Sequence, residues 1–304
     1  MVSTIDLKYQ GRGGVIAVGL LEGPEGLALV DPGPASCLDQ LRSALAARGG
    51  SLDDVAAVLV THVHLDHSGG VGVIARENPR VQVFVHRRGA PHIVDPSKLL
   101  ASAGRLYGEA MEPLWGAVSP VPADRVHALG GGEVIRPAGL EIRVADTPGH
   151  AVHHVSYLDT ASGTAFAGDV GGIRIGAPLL VIPPTPPPDI DLEAWAVSLE
   201  RLRAWSPRSI FVTHFGCFDD PAAHLDDLER HLAEVAGWVR SLLEDGSLDD
   251  AQRLERFEAR MRRMYAGELA GDDWVRRYVA AVPLDHCWQG LARYWRKRQA
   301  SNAA

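Results

Sequence analysis

Val58-Leu59-Val60-Thr61-His62-Val63-His64-Leu65-Asp66-His67-Ser68-Gly69-Gly70 decides how the rest of the chain is read. The apolar run Val55 to Val60 has the length and composition of a buried strand. It delivers three histidines and one aspartate within residues 62–67, then meets Ser68-Gly69-Gly70 and the start of a helical pattern. In an extended segment residues two apart point the same way, so His62 and His64 can share one metal ion. Asp66 and His67, past the bend, face a second position beside it. Imidazole and carboxylate together suit zinc, iron or manganese. The competing reading is a polar loop whose histidines satisfy backbone groups. Four potential ligands on one strand-to-helix turn outweigh it.

Composition narrows the function classes. A 304-residue chain with 46% hydrophobic residues can bury a sizeable core, as one large domain or a main domain with an appendage. The formal net charge is −8, and lysine occurs only at Lys8, Lys98 and Lys297. An acidic surface argues against a nucleic-acid partner, whose non-specific affinity comes from cationic patches. Cys37, Cys217 and Cys287 are too scattered for a disulfide framework or a zinc finger and are expected to be reduced thiols. Residues 1–14 show no signal-peptide pattern, and no apolar run approaches membrane-spanning length. A cytoplasmic protein without a membrane partner is the expectation.

Along the chain, Val15–Leu21 and Leu27–Val30 read as a hairpin around Gly23-Pro24-Glu25-Gly26, and the second strand ends at Asp31-Pro32-Gly33-Pro34. Residues 36–48 form a helical pattern, followed by the motif strand and a second strand, Val81–Val85, ending in His86. Residues 87–128 interrupt the strand pattern as an insertion with Tyr107, Trp115 and several prolines. Leu140–Ala145, Val152–Leu158 and Thr164–Ala167 read as strands, and Asp146-Thr147-Pro148-Gly149 presents His150 at a strand end. Pro183–Pro188 is either a stiff connector or a rigid wall over the site, and sequence does not separate the two. Leu192–Trp205 is amphipathic, Ser209–Thr213 is a short buried strand ending in His214, and from Pro221 onward only helical patterns follow.

These motifs resemble the metallo-β-lactamase superfamily. Thr61-His62-Val63-His64-Leu65-Asp66-His67 resembles its H-x-H-x-D-H signature, and Asp31-Pro32-Gly33-Pro34, Asp146–His150, Ala167-Gly168-Asp169 and Phe211–His214 match its other motifs in order. The resemblance implies an α/β chain folded as a four-layer αββα sandwich with a C-terminal helical appendage, with residues 1–220 as the catalytic domain (87–128 inserted) and 221–304 as a helical domain. It further implies that His62, His64 and His150 bind one metal, that Asp66, His67 and His214 bind a second, and that Asp169 bridges them. Two divalent ions, zinc with iron and manganese as alternatives, are the implied cofactors. Asp31 would sit behind the ligands and orient them.

Within the superfamily, His64 departs from the glutamate of flavin-linked diiron members, and no RNA-handling module is evident. The complete ligand set resembles glyoxalase II and lactonase-like hydrolases, although Val170–Gly176 departs from the segment that follows Gly-Asp in glyoxalase II. The expectation is a hydrolase acting through a metal-bridging hydroxide on a small ester, thioester or lactone, with Asp66 catalytic. Phosphodiester or phosphotriester hydrolysis and a mononuclear-iron persulfide dioxygenase are the alternatives, and a metal-binding interaction protein on a degenerate scaffold is the non-enzyme one. A small molecule is the expected partner, and a homodimer is left open. The tail is expected either to reach the pocket, with Trp274, Trp288, Tyr294 and Trp295 as apolar bulk and Arg293, Arg296 and Lys297 toward an anionic group, or to be a dimerisation or stabilising appendage with a solvated basic face.

Overall fold

The computed structural model describes residues 2–176, 178–268 and 272–302. Two six-stranded mixed sheets carry the fold. The first runs β1 (Val2–Asp6), β2 (Ala17–Gly23), β3 (Gly26–Val30), β4 (Val55–Leu59), β5 (Gln82–His86) and β6 (Val126–Leu129) in spatial as well as chain order. β1, β2 and β3 pair antiparallel, and β3 through β6 pair parallel. The second contains β7 (Val134–Ile135), β8 (Ile142–Asp146), β9 (Val155–Asp159), β10 (Thr164–Phe166), β11 (Ser209–Val212) and β12 (Gly216–Phe218), with only β10 and β11 parallel.

The parallel strands need crossovers, and helices supply them. α1 (Leu38–Ala46) joins β3 to β4; the short α2 (Leu65–Ser68) and α3 (Val71–Glu77) join β4 to β5. α4 (Ala90–Val94), α5 (Ser97–Tyr107) and α6 (Met111–Trp115) fill the connection to β6, and α7 (Leu192–Ala204) precedes β11. α8 (Pro221–Glu244), α9 (Asp250–Glu268), α10 (Asp272–Ala281) and α11 (Leu284–Asn302) follow the last strand.

Three apolar cores define the layers. Between the sheets, Val30, Ala57 and Leu59 meet Val144, Tyr157, Phe166 and Phe211. Outside the first sheet, Leu41, Leu45 and Ile74 of α1 and α3 cover Val58 and Val83. Outside the second, Trp195 and Leu199 of α7 and residues of α8–α11 share one core with Ile210 and Val212. The αββα arrangement with C-terminal helices is therefore the observed fold.

Three strands differ from the expectation. β1 and β12 lie outside the expected strands, because neither Val2–Asp6 nor Gly216–Phe218 carries a clear alternation of apolar residues. β6 begins inside the 87–128 range read as an insertion. The structure ends that insertion at a 3₁₀ turn over Ala123–Arg125 and uses Val126–Leu129 as a parallel edge strand.

Candidate metal centre

Every motif residue sits on a loop just past a strand or at the first turn of a helix, where a rigid scaffold can aim it. His62 and His64 follow β4, Asp66 and His67 lie in α2, and His150 follows β8. Asp169 follows β10 and His214 follows β11. The fold brings all seven together in two adjacent groups. His62, His64, His150 and Asp169 form one; Asp66, His67 and His214 form the other, with ligand atoms in each group within 4.8 Å of one another. His64 Nδ1 lies 2.9 Å from His62 Nε2 and 3.0 Å from His150 Nε2. Asp169 spans the groups: Oδ2 is 3.4 Å from His150 Nε2, while Oδ1 is 3.2 Å from His67 Nε2 and 3.7 Å from His214 Nε2. Asp66 Oδ2 lies 3.3 Å from His214 Nε2 and 3.6 Å from His67 Nε2.

The donor set fits divalent cations on a physical test. His67 Nε2, His214 Nε2 and Asp169 Oδ1 are buried without a hydrogen-bond partner. Buried polar atoms are rarely left so, and three orphans converging on one spot mark a place for a shared positive centre. The far nitrogens of His62, His67, His150 and His214, in contrast, are engaged. His67 Nδ1 is 2.8 Å from Asp31 Oδ2, His150 Nδ1 donates to Pro184 O at 2.9 Å, and His214 Nδ1 donates to Val15 O at 2.7 Å. His62 Nδ1 is 3.1 Å from Thr61 Oγ1. These bonds aim the free nitrogens inward, as partners behind metal ligands do.

Asp31 organises this outer layer. Its Oδ1 accepts from Thr61 N at 2.8 Å, and its Oδ2 accepts from Thr61 Oγ1 at 2.7 Å and Thr213 Oγ1 at 2.8 Å. It is fully buried, with φ 48°. Gly168 also has positive φ, and a Cβ there would lie 2.5 Å from Thr61 Oγ1 and 2.7 Å from His154 Nε2. Only glycine lets the Asp169 turn pass this close to the motif strand.

The electrostatics divide the site. Burial, helped by neighbouring imidazoles, pushes His62 and His64 well below the ordinary histidine range, and burial lowers His150 too. That favours the neutral, ligating form. Burial also opposes charge on His67 and His214, but the Asp169 and Asp66 carboxylates outweigh it and raise both. Burial penalises the carboxylate of Asp169, yet His67, His150 and His214 hold it well below the usual range. Asp66 meets the same penalty from burial and is lowered in the same way, by His67 and His214.

The other histidines near the motifs have separate duties. His154 is buried, 2.9 Å from Thr147 Oγ1 through Nδ1, and His86 accepts from Arg88 N at 3.1 Å. His153 lines the approach to the site. Burial raises the Cys217 thiol, so nothing activates it as a nucleophile. Trp195 escaped the sequence reading. Its ring meets that of His150 at 5.9 Å, and its Nε1 donates to Val170 O at 2.9 Å, bracing a ligand and the Asp169 turn from one helix.

A cavity of about 690 Å³ opens onto His64, Asp66 and Asp169. Tyr107 and Trp115 of the insertion form one wall, Pro184 and Pro186–Pro188 another, and Val279–Pro283 with His286 a third. The proline segment is thus a wall of the site as well as a connector. The C-terminal helices reach the cavity through the α10–α11 turn, and the basic residues of α11 do not line it. Arg296 instead pairs with Asp250 at 3.0 Å, and Arg298 with Glu193. The Trp274 side chain lies outside the described residues.

The sequence model of the family described as Metallo-beta-lactamase superfamily matches residues 11–214. The chain belongs to the metallo-beta-lactamase superfamily. It is a metallo-hydrolase of that superfamily, with two adjacent histidine and aspartate groups that could hold metal. A metallo-beta-lactamase fold-containing protein of Sulfurisphaera tokodaii is 29% identical over 187 residues, 60% of this chain and 67% of that protein. A hydroxyacylglutathione hydrolase of Cupriavidus taiwanensis is 32% identical over 147 residues, 47% of this chain and 44% of its own length. The chain therefore spans two-thirds of the first relative and less than half of the second. Among solved structures, a metallo-beta-lactamase family protein of Thermus thermophilus superposes with a TM-score of 0.69 at 23% identity, covering 99% of this chain and 94% of that one. That likeness concerns the fold. Among the described residues no helix is long and apolar enough to cross a membrane.

Proposed function

We propose that the protein is a dinuclear metal-dependent hydrolase of small esters, thioesters or lactones, acting in the cytoplasm on a small molecule. The observation that carries this reading is the placement of Asp169, whose two oxygens face two complete ligand groups. A mononuclear-iron dioxygenase would leave Asp66, His67 and His214 without a purpose. The hydroxyacylglutathione hydrolase among the relatives supports thioester chemistry, since an acyl group on glutathione is carried as a thioester. The boundary near residue 220, between a catalytic unit and a helical one, belongs to the same proposal.

On this reading His62, His64 and His150 hold one ion, Asp66, His67 and His214 the other, and Asp169 both. Bound there, two divalent ions, zinc on this proposal, supply a water deprotonated near neutral pH and electrostatic stabilisation of the developing oxyanion. The chain supplies the rest. Asp66 lies at the cavity floor with its side chain 19% exposed, the most open carboxylate of the site. It orients the attacking water, accepts its proton and passes a proton toward the leaving group. The aromatic and proline walls hold the substrate against the site and exclude bulk water.

The test is metal analysis of the purified protein followed by a panel of lactone, thioester and phosphodiester substrates. Zinc with lactone or thioester turnover supports the proposal. Turnover confined to the phosphodiester moves the reading to phosphoester hydrolysis. Iron with sulfur-dependent oxygen consumption overturns it.

A further inference from the structure

The cavity above the ligand groups has a charge pattern that the metal site does not explain. Its body is apolar and aromatic. Tyr9 stacks on Trp115 with ring centroids 6.0 Å apart, Trp115 meets Tyr107 edge-on at 5.1 Å, and Tyr107 meets His286 at 5.5 Å. These rings come from the N-terminal segment, the insertion and α11, so three distant stretches of chain build one continuous wall. Three full cations also line this cavity: Arg12 beyond β1, Arg88 after β5, and Lys98 in α5. All three are exposed, and none has a hydrogen-bond or ion-pair partner for its side chain among the described residues.

That grouping stands out against the rest of the molecule. The chain is acidic, with net charge −8, and has three lysines in all. Elsewhere many of its arginines are engaged by carboxylates, as Arg42 is by Asp39 and Glu77 and Arg203 by Asp226 and Glu229. Outside the metal groups, the carboxylate lining this cavity is Asp189, at the proline wall. Three unpaired cations around an apolar chamber raise the local concentration of anions and favour a ligand whose charge lies at a distance from its reacting carbonyl.

We propose that the substrate is an amphipathic ester or thioester with an apolar or aromatic body and a distal anionic group, and that Arg12, Arg88 and Lys98 read that anion. The body lies along the Tyr9–Trp115–Tyr107 wall while the carbonyl reaches Asp66 and Asp169. This rests on the hydrolase reading for the carbonyl, but the anion recognition stands on the cations alone. These are specificity residues, since none of the three belongs to the ligand groups.

The experiment compares ω-carboxyalkyl phenyl thioesters of graded length with their methyl-ended isosteres on the metal-loaded protein. Preference for the carboxylate at one chain length, roughly tenfold in kcat/KM for three partly exposed charges, is the expected result. It should shrink as salt rises from about 0.05 to about 0.5 M. In the Arg12→Met, Arg88→Met, Lys98→Met variant the ratio should fall toward one. Equal kinetics at every length, or a ratio unchanged by the triple substitution, overturns the proposal. Calorimetric binding of suberate against octanoate separates the two ideas: tighter suberate binding that the triple variant loses upholds anion recognition even if no thioester is turned over. Equal binding of the two acids contradicts it.

Discussion

At Asp169 one carboxylate faces two sets of histidines, and removing it has a specific consequence. Asp169→Ala is expected to lower metal content below two ions per chain and hydrolysis by at least about 100-fold, because each ion loses a ligand. Metal analysis and thioester kinetics check it, and unchanged stoichiometry would remove the bridging role. Asp66→Asn keeps the shape but cannot accept a proton, so kcat should fall roughly 10²–10⁴-fold with the circular dichroism spectrum unchanged. Protonation of the ligand histidines sets a third expectation. The carboxylates beside His67 and His214 raise both above the ordinary histidine range, which favours the protonated imidazole over the neutral form that ligates metal. Loading should therefore release protons, and affinity should fall as pH falls. Calorimetry in buffers of different ionisation enthalpy reads this, and binding enthalpies independent of buffer would contradict it.

Helices outside the sandwich position the site through the loop between Asp169 and α7. α8 holds its start: His224 Nε2 donates to Gly171 O at 2.7 Å, and Asp227 accepts from Val181 N at 2.8 Å. Tyr278 Oη of α10 donates to Leu180 O and accepts from Ile175 N. α11 holds the proline wall. A Cβ on Gly290 would lie 2.0 Å from Thr185 O, next to the Pro184 carbonyl that orients His150. Gly290→Ala should thus weaken metal binding by roughly 10–100-fold, as loss of a bond behind a ligand does, with the fold intact. Metal competition with a chelating dye measures the change, and wild-type affinity would sever this link. Burial pushes His224 down to about 4. A depressed histidine stabilises the fold above its unfolded pKa of about 6.5 and loses that contribution as pH falls through about 4. The loss, of order 3 kcal/mol, should appear as acid destabilisation in urea titrations and be smaller in His224→Gln. An equally steep loss in both proteins would assign it elsewhere.

Across the whole molecule, what was legible in sequence was local. His62, His64, Asp66 and His67 lie in one turn, and His150, Asp169 and His214 each follow a recognisable strand within a short motif that the resemblance to the superfamily marks. Tyr9, Arg12, Arg88 and Trp195 reach the site through long-range packing, which leaves no periodic trace along the chain. The tail shows the same boundary. Trp288 and Tyr294, expected as apolar bulk, are both buried. Sequence could not show that Arg293 and Arg296 face solvent rather than the cavity, because that depends on which side of the sandwich α11 meets. The layers explain the division of labour: the two sheets present ligands at their strand ends, and the insertion and C-terminal helices enclose the space above them. The most direct test of the central claim is titration of metal-free protein with zinc while thioester hydrolysis is followed. Activity that rises until two equivalents are bound is the predicted result; activity complete at one equivalent, with no second ion bound, would contradict a dinuclear centre.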